Sequence, residues 1–399
     1  MRSPDERGVP RPSEDGDIHR PAWFRRLSTD RPPALVRHRC DDDAGPVPGR
    51  PRRIPDDIAE LIEREHGVVA VGVARAAGVD PRRLRRLRDA GLLTVLLPGC
   101  FAATTSFDDE WEVFRLGARA FAAHCGPAAL LTGWSAVVTW RLPAIGRPPA
   151  RHTAVRHVAD GHSVRNTPFG DLRAVTLAPN HARRTSGVNV VSRAWAVADL
   201  ARTGPILPAL VAADAAAALG ADLADALRYM SHWPGVGRAR WVAEHADPGA
   251  ESPLETLGRF TCLQFDLPLP VCNAWVGEGG PEYRVDGLWP FHGVVFEADG
   301  ALKYDNRPDA SRIVARQGER EWRLRRLGLD VVRFGWDLAW RNRAELAARF
   351  AGLLREHAGR ERPVRWWKHV PGAGAVDPEP ADWPSPSPSG IVLPAGWDR

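Results

Sequence analysis

Hydrophobic residues recur at helical spacing where the patterned part of the chain begins. Ile58 and Leu61 share one face of the stretch IPDDIAELIEREHG, and two more helical stretches follow it, VGVARAAG and VDPRRLRRLRDAGLL. The last of these has Asp80 as its N-cap residue and Pro81 in its first turn. The alternating stretch LLTVLLPGCFAA then predicts two strands joined by a Pro-Gly turn. This order of elements predicts a winged helix-turn-helix over residues 51–104.

The pattern changes twice further along the chain. Residues 105–248 predict a mixed middle domain, with two helices in DEWEVFRLGARAFAAHCGPAALLTGWSAVVTWRL, strands near HTAVRHV and GDLRAVTLA, and alanine-rich helices from Val190 to Leu227. Residues 249–357 predict a helix (ESPLETLGRFTCLQF), a hairpin (YRVDGLWPFHGVVFEADG), an arginine-rich helix (SRIVARQGEREWRLRR) and a strand (LGLDVVRFGW). We therefore predict an α/β (α+β) chain whose last domain is a mixed sheet flanked by helices.

Both ends of the chain lack such patterns. Residues 1–50 are rich in Pro, Arg and Asp, and the tail 371–399 is rich in proline, so we expect both segments to be disordered. The amino terminus lacks the apolar core of a signal peptide, and the longest apolar run, LVAADAAAALGADLADAL, is interrupted by aspartates. These features predict a soluble, cytoplasmic protein with no membrane partner.

Composition constrains the chemistry only modestly. The 399-residue chain has a formal net charge of +5 and two lysines, Lys303 and Lys368, so nearly all its positive charge is arginine. Such an excess permits nucleic-acid binding without requiring it. Five scattered cysteines, never spaced as CxxC, are typical of reduced thiols. Zinc-helix spacing is absent among His152, His157, His162 and His181.

The third helix of the predicted winged helix is strongly basic. In a winged helix-turn-helix this helix enters the DNA major groove. It carries Arg82, Arg83, Arg85, Arg86 and Arg88. The alternative is a solvated arginine-rich face, or a winged helix that contacts protein, because arginine is common throughout the chain.

Two carboxylates interrupt the predicted hairpin. A symmetric turn at PFHG sets Asp286 directly opposite Glu297, on one face of the sheet with Asp299 and Leu288, while Val285 faces the other way. Like charges opposed on a sheet are destabilising unless something compensates them. Carboxylate ligands without paired histidines or thiols suit magnesium or manganese. We therefore predict a divalent cation at Asp286 and Glu297, with Asp299 as a further ligand.

Neighbouring residues extend this candidate site. Glu255 is the third residue of a helix with Ser252 as its N-cap, so it either completes a capping box or supplies a third carboxylate. Lys303 follows the second strand and either assists catalysis or is a solvated loop residue. The next helix carries an arginine stripe that either follows a phosphate backbone or pairs with Glu319 and Glu321. The stripe consists of Arg316, Arg320, Arg323 and Arg326.

Several stretches together resemble known families. ESPLE, RVDGLWP, VVFEADG and the arginine-rich helix resemble the predicted endonuclease domain related to very-short-patch-repair endonucleases, in the PD-(D/E)xK superfamily. Upstream, GVVAVGVARAAGVDPRRLRRLRDAGLLTVLLPGCFAA is similar to the winged-helix domain of AbiEi-type antitoxins of type IV toxin–antitoxin systems. The resemblance implies a restriction-endonuclease-like sheet and metal-dependent hydrolysis of DNA phosphodiesters at Asp286 and Glu297, with Glu255 as the helix acid. Asp299 replaces the superfamily's usual lysine, and Lys303 is the candidate substitute.

Three hypotheses follow from these patterns. The first is a magnesium-dependent DNA endonuclease with a winged-helix reader, acting in repair or defence. The second is a non-catalytic, antitoxin-like transcriptional regulator that binds DNA and a cognate toxin and carries a degenerate nuclease fold. The third makes Asp286 and Glu297 a structural polar cluster tied by Arg284 and Arg259.

Overall fold

The chain divides into two compact units, which we describe separately. Of the described residues, the amino-terminal unit contains those in 13–14, 53–204 and 221–243, and the carboxyl-terminal unit contains those in 205–220 and 244–397. The computed structural model describes residues 13–14, 53–104, 109–159, 163–300, 310–391, 393–394 and 396–397.

Helices and strands occur in runs, with the strands between His152 and Val191 followed by the helices between Arg193 and Gln264. The helices are α1 Asp56–Arg64, α2 Val71–Ala76, α3 Pro81–Asp89, α4 Glu110–Cys125, α5 Gly133–Thr139, α6 Arg193–Thr203, α7 Ile206–Ala218, α8 Leu223–Arg228, α9 Val236–His245, α10 Pro253–Gln264, α11 Ala310–Arg326 and α12 Arg343–Glu356. The strands are β1 Ser13–Glu14, β2 Val69–Ala70, β3 Leu93–Leu97, β4 Cys100–Ala103, β5 Leu130–Leu131, β6 His152–His157, β7 Ser163–Thr167, β8 Gly170–Val175, β9 Ala182–Thr185, β10 Val188–Val191, β11 Val271–Val276, β12 Tyr283–Trp289, β13 Val294–Ala298, β14 Asp330–Phe334, β15 Trp366–Val370 and β16 Gly374–Val376. Within the described ranges, no helix is long and apolar enough to cross a membrane.

A winged helix-turn-helix forms in the amino-terminal unit, in the predicted order. Helices α1, α2 and α3 precede the β3–β4 hairpin, and β4 also pairs with β2 to give a three-stranded sheet. The hairpin turns at Gly99, whose φ of +79° favours glycine. Ile58, Leu84 and Phe101 are buried in one hydrophobic cluster, because the apolar face of each helix points inward.

The remainder of the amino-terminal unit is built on a sheet of seven strands in the order β1-β9-β10-β5-β6-β8-β7. Helix α6 is anchored beside it by the buried Asp199, which accepts hydrogen bonds from Thr132 and from the guanidinium groups of Arg173 and Arg202. A buried carboxylate with this many donors holds the helix in one position.

Two predictions for this unit are wrong. Val190 was expected to begin a helix, but it lies in β10, which pairs with β9 and β5, and the helix begins at Arg193. The β-branched valines of β10 favour a strand, and β10 has a strand partner on each side. This pairing outweighs the helix preference of the alanine-rich segment that follows. Ser13 and Glu14 form β1 and pair in parallel with β9, so disorder does not hold for them. The rest of the segment 1–50 lies outside the described residues.

The carboxyl-terminal unit is a mixed sheet with helices on it, as expected. Its order is β14-β13-β12-β11-β15-β16, with β13 and β14 parallel and the other neighbours antiparallel. Leu324 of α11 packs with Leu288 and Trp366, whereas Phe296 packs with Phe350 of α12. Helix α10 approaches the sheet closely at Gly258, where an added Cβ would lie 2.7 Å from the ring of Phe334.

The unit extends beyond the predicted boundaries of 249–357 at both ends. Helix α7 belongs to it, although the sequence pattern assigned that helix to the middle domain. At the other end β15 and β16 extend the sheet, and Trp383 packs against Trp366 and Phe291. The predicted disorder of the tail from residue 371 is therefore wrong for this part, because a tryptophan and the Lys368–Asp382 ion pair dock the proline-rich segment onto the sheet.

Candidate DNA-binding surface and carboxylate cluster

Helix α3 presents a basic face to solvent. Asp80 caps the helix by accepting a hydrogen bond from the Arg82 backbone at 2.8 Å, and Leu84 and Leu87 bury the opposite face. The exposed side chains of Arg82, Arg85 and Arg86 have no ion-pair partner within the described part of the chain. These three arginines, the α3 arginines, are therefore free to contact an anionic ligand.

The other two predicted DNA-contacting arginines of α3 have protein partners. Arg83 donates two hydrogen bonds to Asp57 of α1, at 2.7 and 2.9 Å, and the pair lowers the pKa of Asp57. Arg88 pairs with the neighbouring Asp89 at 2.6 Å. Arg83 thus joins two helices of the winged domain, which corrects its expected role as a free DNA contact.

The hairpin of the carboxyl-terminal unit has the predicted turn and register. Gly287 faces Phe296, Leu288 faces Val295 and Trp289 faces Val294, on either side of the turn at 290–293. The regular pairing stops at Asp286. Gly287 is required next to it, since an added Cβ would lie 2.1 Å from the Phe296 ring.

Asp286 bonds to the opposite strand through its side chain. Its Oδ2 accepts a hydrogen bond from the Ala298 backbone N–H at 2.7 Å. Val285 and Leu288 belong to one hydrophobic cluster, although simple alternation had placed them on opposite faces. The predicted alternation therefore fails at the residues that carry the acids.

Three carboxylates influence one another at this point of the sheet. Burial and the nearby Asp286 raise the pKa of Glu255 to about 8 and that of Glu297 to about 7. Burial also raises the pKa of Asp286 itself. We refer to Glu255, Asp286 and Glu297 as the carboxylate cluster. Its members favour bound protons, because burial disfavours their charged forms and the charge of Asp286 acts on both glutamates.

Asn273, which the sequence pattern did not single out, orients the first of these acids. Its Nδ2 donates to Glu255 Oε2 at 2.6 Å and to the Gly249 carbonyl at 2.8 Å, and its backbone has a φ of +51°. Glu255 Oε2 also accepts from the Glu251 N–H at 2.8 Å. An asparagine inside an otherwise apolar strand is the one sequence signal that would have identified it, because asparagine tolerates this left-handed conformation.

Arginines surround the cluster. Arg320 Nη2 donates to Glu297 Oε1 at 2.8 Å and also to the Arg284 carbonyl, while Arg284 itself pairs with Glu251 at 2.8 Å. Arg320 therefore points toward the cluster, which corrects its expected role as part of an exposed DNA-binding stripe. Burial raises the pKa of Glu297, and the positive charge of Arg320 offsets only part of that rise.

The other predicted site residues lie apart from the cluster. Asp299, predicted as a metal ligand, accepts two hydrogen bonds from Arg333 at 2.8 and 3.0 Å. Arg323 pairs with Glu319 at 2.8 Å, as the solvated-face alternative expected. Lys303 and the side chain of Arg316 lie outside the described residues.

The hypothesis of a structural cluster tied by Arg259 is wrong in its partners. Arg259 donates to Asp214 Oδ1 and Oδ2 at 2.8 and 2.9 Å, and Asp214 also accepts from Thr256 at 2.8 Å. This buried pair joins α7 to α10. Arg320, not Arg259 or Arg284, is the guanidinium that bonds to Glu297.

Three of the four histidines considered in the sequence, His152, His157 and His181, lie in the described part of the amino-terminal unit and have polar or aromatic neighbours. His152 is stacked near Phe114, and burial lowers its pKa to about 4. His181 Nδ1 lies 2.7 Å from Ser192 Oγ, which caps α6, and its Nε2 lies 3.4 Å from Asp225. His162 lies outside the described residues.

Among the described residues, the carboxylate cluster has the ligand type, but not the number of ligands placed together, that a divalent cation site requires. Carboxylates are the ligands that magnesium and manganese prefer. Glu255 Oε2, Asp286 Oδ2 and Glu297 Oε1 each accept at least one hydrogen bond from the surrounding protein. Over the described ranges, which omit 301–309, no group of three or more His, Cys, Asp or Glu side chains is placed to hold one metal ion. The donor chemistry fits, and the described residues do not by themselves assemble a three-ligand site.

Comparison with known families bears on the amino-terminal surface. Residues 56–104 match the model of the AbiEi antitoxin family, described as a transcriptional regulator. The matched segment begins at α1 and ends just after β4, so it covers the winged helix-turn-helix and its α3 arginines. The match supports a DNA-binding, antitoxin-type regulator domain at this position.

Two curated relatives and one solved structure are also similar. The uncharacterized proteins MT2308 and Rv2248 of Mycobacterium tuberculosis, strains CDC 1551 / Oshkosh and ATCC 25618 / H37Rv, are each 28% identical over 208 residues, which is 51% of this chain and 75% of theirs. The crystal structure of the RV2827C protein from Mycobacterium tuberculosis covers 49% of this chain and 79% of that chain, with 19% identity. Its TM-score of 0.31 is too low to carry an argument about the fold.

Proposed function

We propose that this protein is a DNA-binding regulator of the antitoxin type, which reads DNA with α3. The observation that carries the proposal is the exposed set of α3 arginines, without ion-pair partners among the described residues, on a helix whose other face is buried by Leu84 and Leu87. In a winged helix-turn-helix this helix lies in the major groove, where arginine contacts phosphates and guanine edges. The family match over residues 56–104 supports the same use and also a cognate toxin as a second partner.

Replacing the three α3 arginines with alanine should weaken DNA binding at least about tenfold. The variant R82A/R85A/R86A should also reduce the magnitude of the slope of log K against log salt by about 2 to 3. Each phosphate contact releases about 0.9 counterion from the DNA, and the variant loses up to three such contacts. Fluorescence anisotropy with a duplex from the protein's own promoter, at several salt concentrations, measures both quantities.

The matched control removes the same charge from elsewhere in the amino-terminal unit. R156A/R165A/R184A replaces three exposed arginines of the seven-stranded sheet and should leave the affinity nearly unchanged. An R83A variant should instead lower stability, because it breaks the pair with Asp57. Equal losses of affinity in the α3 variant and the control would rule out α3 as the reader.

A second candidate function is metal-dependent hydrolysis of DNA phosphodiesters in the carboxyl-terminal unit. Its support is the resemblance of the hairpin motifs to the patch-repair-like endonucleases, together with the mixed sheet and the buried acids Glu255 and Glu297, both of which feel the charge of Asp286. Magnesium or manganese held by Asp286 and Glu297 would supply the positive charge that polarises a scissile phosphate. Arg320 would hold Glu297 in place, and Asn273 would hold Glu255.

Nicking of supercoiled plasmid tests this second function. With magnesium or manganese present, D286N and E297Q should each nick at least about 100-fold more slowly than the natural chain, since each removes a charge from the site. The control E345Q changes an exposed glutamate of α12 and should have no effect. If the natural chain cuts neither single- nor double-stranded DNA with either metal, the regulator function stands alone.

A further inference from the structure

A concave pocket of about 370 Å³ lies in the carboxyl-terminal unit, where the end of α11 meets the segment 360–365. Its lining residues include one acid, Glu278, against four arginines, so the lining has three more positive charges than negative ones (four minus one). All four arginine side chains are exposed. The arginines of this arginine pocket are Arg326, Arg360, Arg362 and Arg365.

The charge of the arginine pocket is not neutralised by its neighbours. Elsewhere on α11, Arg323 pairs with Glu319 at 2.8 Å and Arg325 pairs with Glu321 at 2.7 Å. Within the part of the chain that the structure describes, none of the four pocket arginines has a carboxylate within ion-pair distance, and the nearby Glu361 is not among the lining residues. The acids of α11 are thus used by its other arginines, and positive charge accumulates at the pocket.

Three of the four guanidinium groups, those of Arg326, Arg360 and Arg365, are held in place before any ligand arrives. Arg326 lies 4.9 Å from the ring of Trp322, and Arg365 lies 4.8 Å from that of Trp367. Arg360 donates to two backbone carbonyl oxygens, at 3.1 and 3.0 Å. A guanidinium stacked on an aromatic ring keeps its N–H edge free, and this edge matches the oxygens of a phosphate.

We infer that the arginine pocket binds the phosphate backbone of DNA and forms a second contact in addition to the one made by α3. Several phosphates in succession match four guanidiniums spread over one concave surface better than a single anion does. The ring of Trp322 is 53% exposed beside the pocket, and nucleic-acid-binding surfaces combine arginines with aromatic rings in this way. This inference rests on the proposed function for the identity of the ligand, DNA, and concerns a different surface.

Removing the pocket charges from the full-length protein tests the inference. R360A/R362A/R365A should bind a 30-base-pair duplex of arbitrary sequence at least about tenfold more weakly at 100 mM salt, with a salt slope lower by about 2 to 3. R326A/R362A should show the same trend on a smaller scale. This second variant keeps the fold, because it breaks none of the hydrogen bonds made by Arg360. The probe is fluorescence anisotropy of the labelled duplex.

The control R341A/R349A/R355A removes three exposed arginines of the same unit and should leave affinity within about twofold. Equal affinity of the pocket variants, the control and the natural chain would overturn the inference. The inference would also be overturned if the pocket variants lost binding to labelled polyglutamate but kept their affinity for DNA. That result would identify an acidic protein as the partner of the pocket. Failure of the α3 proposal is distinguishable, because R82A/R85A/R86A then binds normally while the pocket variants remain weak.

Discussion

Replacing Glu255 with glutamine should stabilise the carboxyl-terminal unit at pH 8 by roughly 3 to 5 kcal/mol and change it little at pH 4. Glu255 is buried next to Asp286, and this raises the pKa of Glu255 to about 8 from the ordinary 4.5. Glutamine keeps an oxygen that accepts from Asn273 and Glu251 and has no charge to bury. The variant therefore removes the cost of ionising this position.

The sign of the pH dependence follows from proton binding. Between about pH 4.5 and pH 8 the folded unit holds a proton on Glu255 that the unfolded chain has released. The stability that the bound proton contributes is thus fully present below pH 4.5 and is lost as the pH rises to 8. The pKa of Glu297 is raised to about 7 by burial and Asp286. Glu297 therefore adds to the loss of stability over a pH range that ends about one pH unit lower.

Urea denaturation at pH 4, 6 and 8 measures this effect, with hydrogen exchange in β12 and β13 to assign the transition to this unit. The exposed variant E345Q is the control and should show the pH dependence of the natural chain. Identical pH profiles for E255Q and the natural chain would contradict the coupling of the three acids. Magnesium or manganese at pH 8 should restore stability to the natural chain but less to E255Q, if the cluster binds a cation.

Replacing Arg259 with methionine should destabilise the same unit by about 3 to 5 kcal/mol. The change leaves the carboxylate of Asp214 buried without its ionic partner, and Asp214 is only 1% exposed. Thr256 and the Asp247 N–H would still donate to Asp214, so the group remains hydrogen-bonded but uncompensated in charge. The midpoint of urea denaturation, followed as above, reports the change.

Two further variants show whether charge burial is the cause. Methionine at Arg341, whose partner Asp337 lies 3.3 Å away on the surface, should cost at most about 1 kcal/mol. Adding Asp214→Leu to Arg259→Met should recover much of the lost stability, because no buried charge is then left. A double variant as unstable as the single one would show that the loss comes from packing instead.

The winged helix-turn-helix was predictable because its signals are local. Apolar spacing, the Asp80 cap and the Pro-Gly turn each act within a few residues, and all three occur as expected. The partner of Arg83 was not predictable, since Asp57 lies 26 residues away and only the packing of α1 on α3 brings it within 2.7 Å. The register of the hairpin was likewise local, being set by a four-residue turn.

The sequence pattern did not predict which way the long side chains of α11 point. The spacing of Arg320 and Arg323 on α11 suggested one exposed stripe, but Arg320 reaches Glu297 and Arg323 reaches Glu319. Where a helix lies over a sheet depends on the sum of many weak packing contacts, and a periodicity does not encode that position. The same holds for the docking of the tail, where Trp383 meets Trp366 across the unit.

By itself the sequence determined the order of elements in the winged helix-turn-helix, its basic helix α3 and the hairpin that carries Asp286 and Glu297, because these depend on periodicity and turn chemistry over short distances. The tertiary structure alone decided which charges meet. It placed Glu255 beside Asp286, turned Arg320 inward to Glu297 and gathered at one pocket four arginines that have no carboxylate partner among the described residues. Coulomb interactions and burial act through space between residues far apart in the chain, so only the folded arrangement sets their strength.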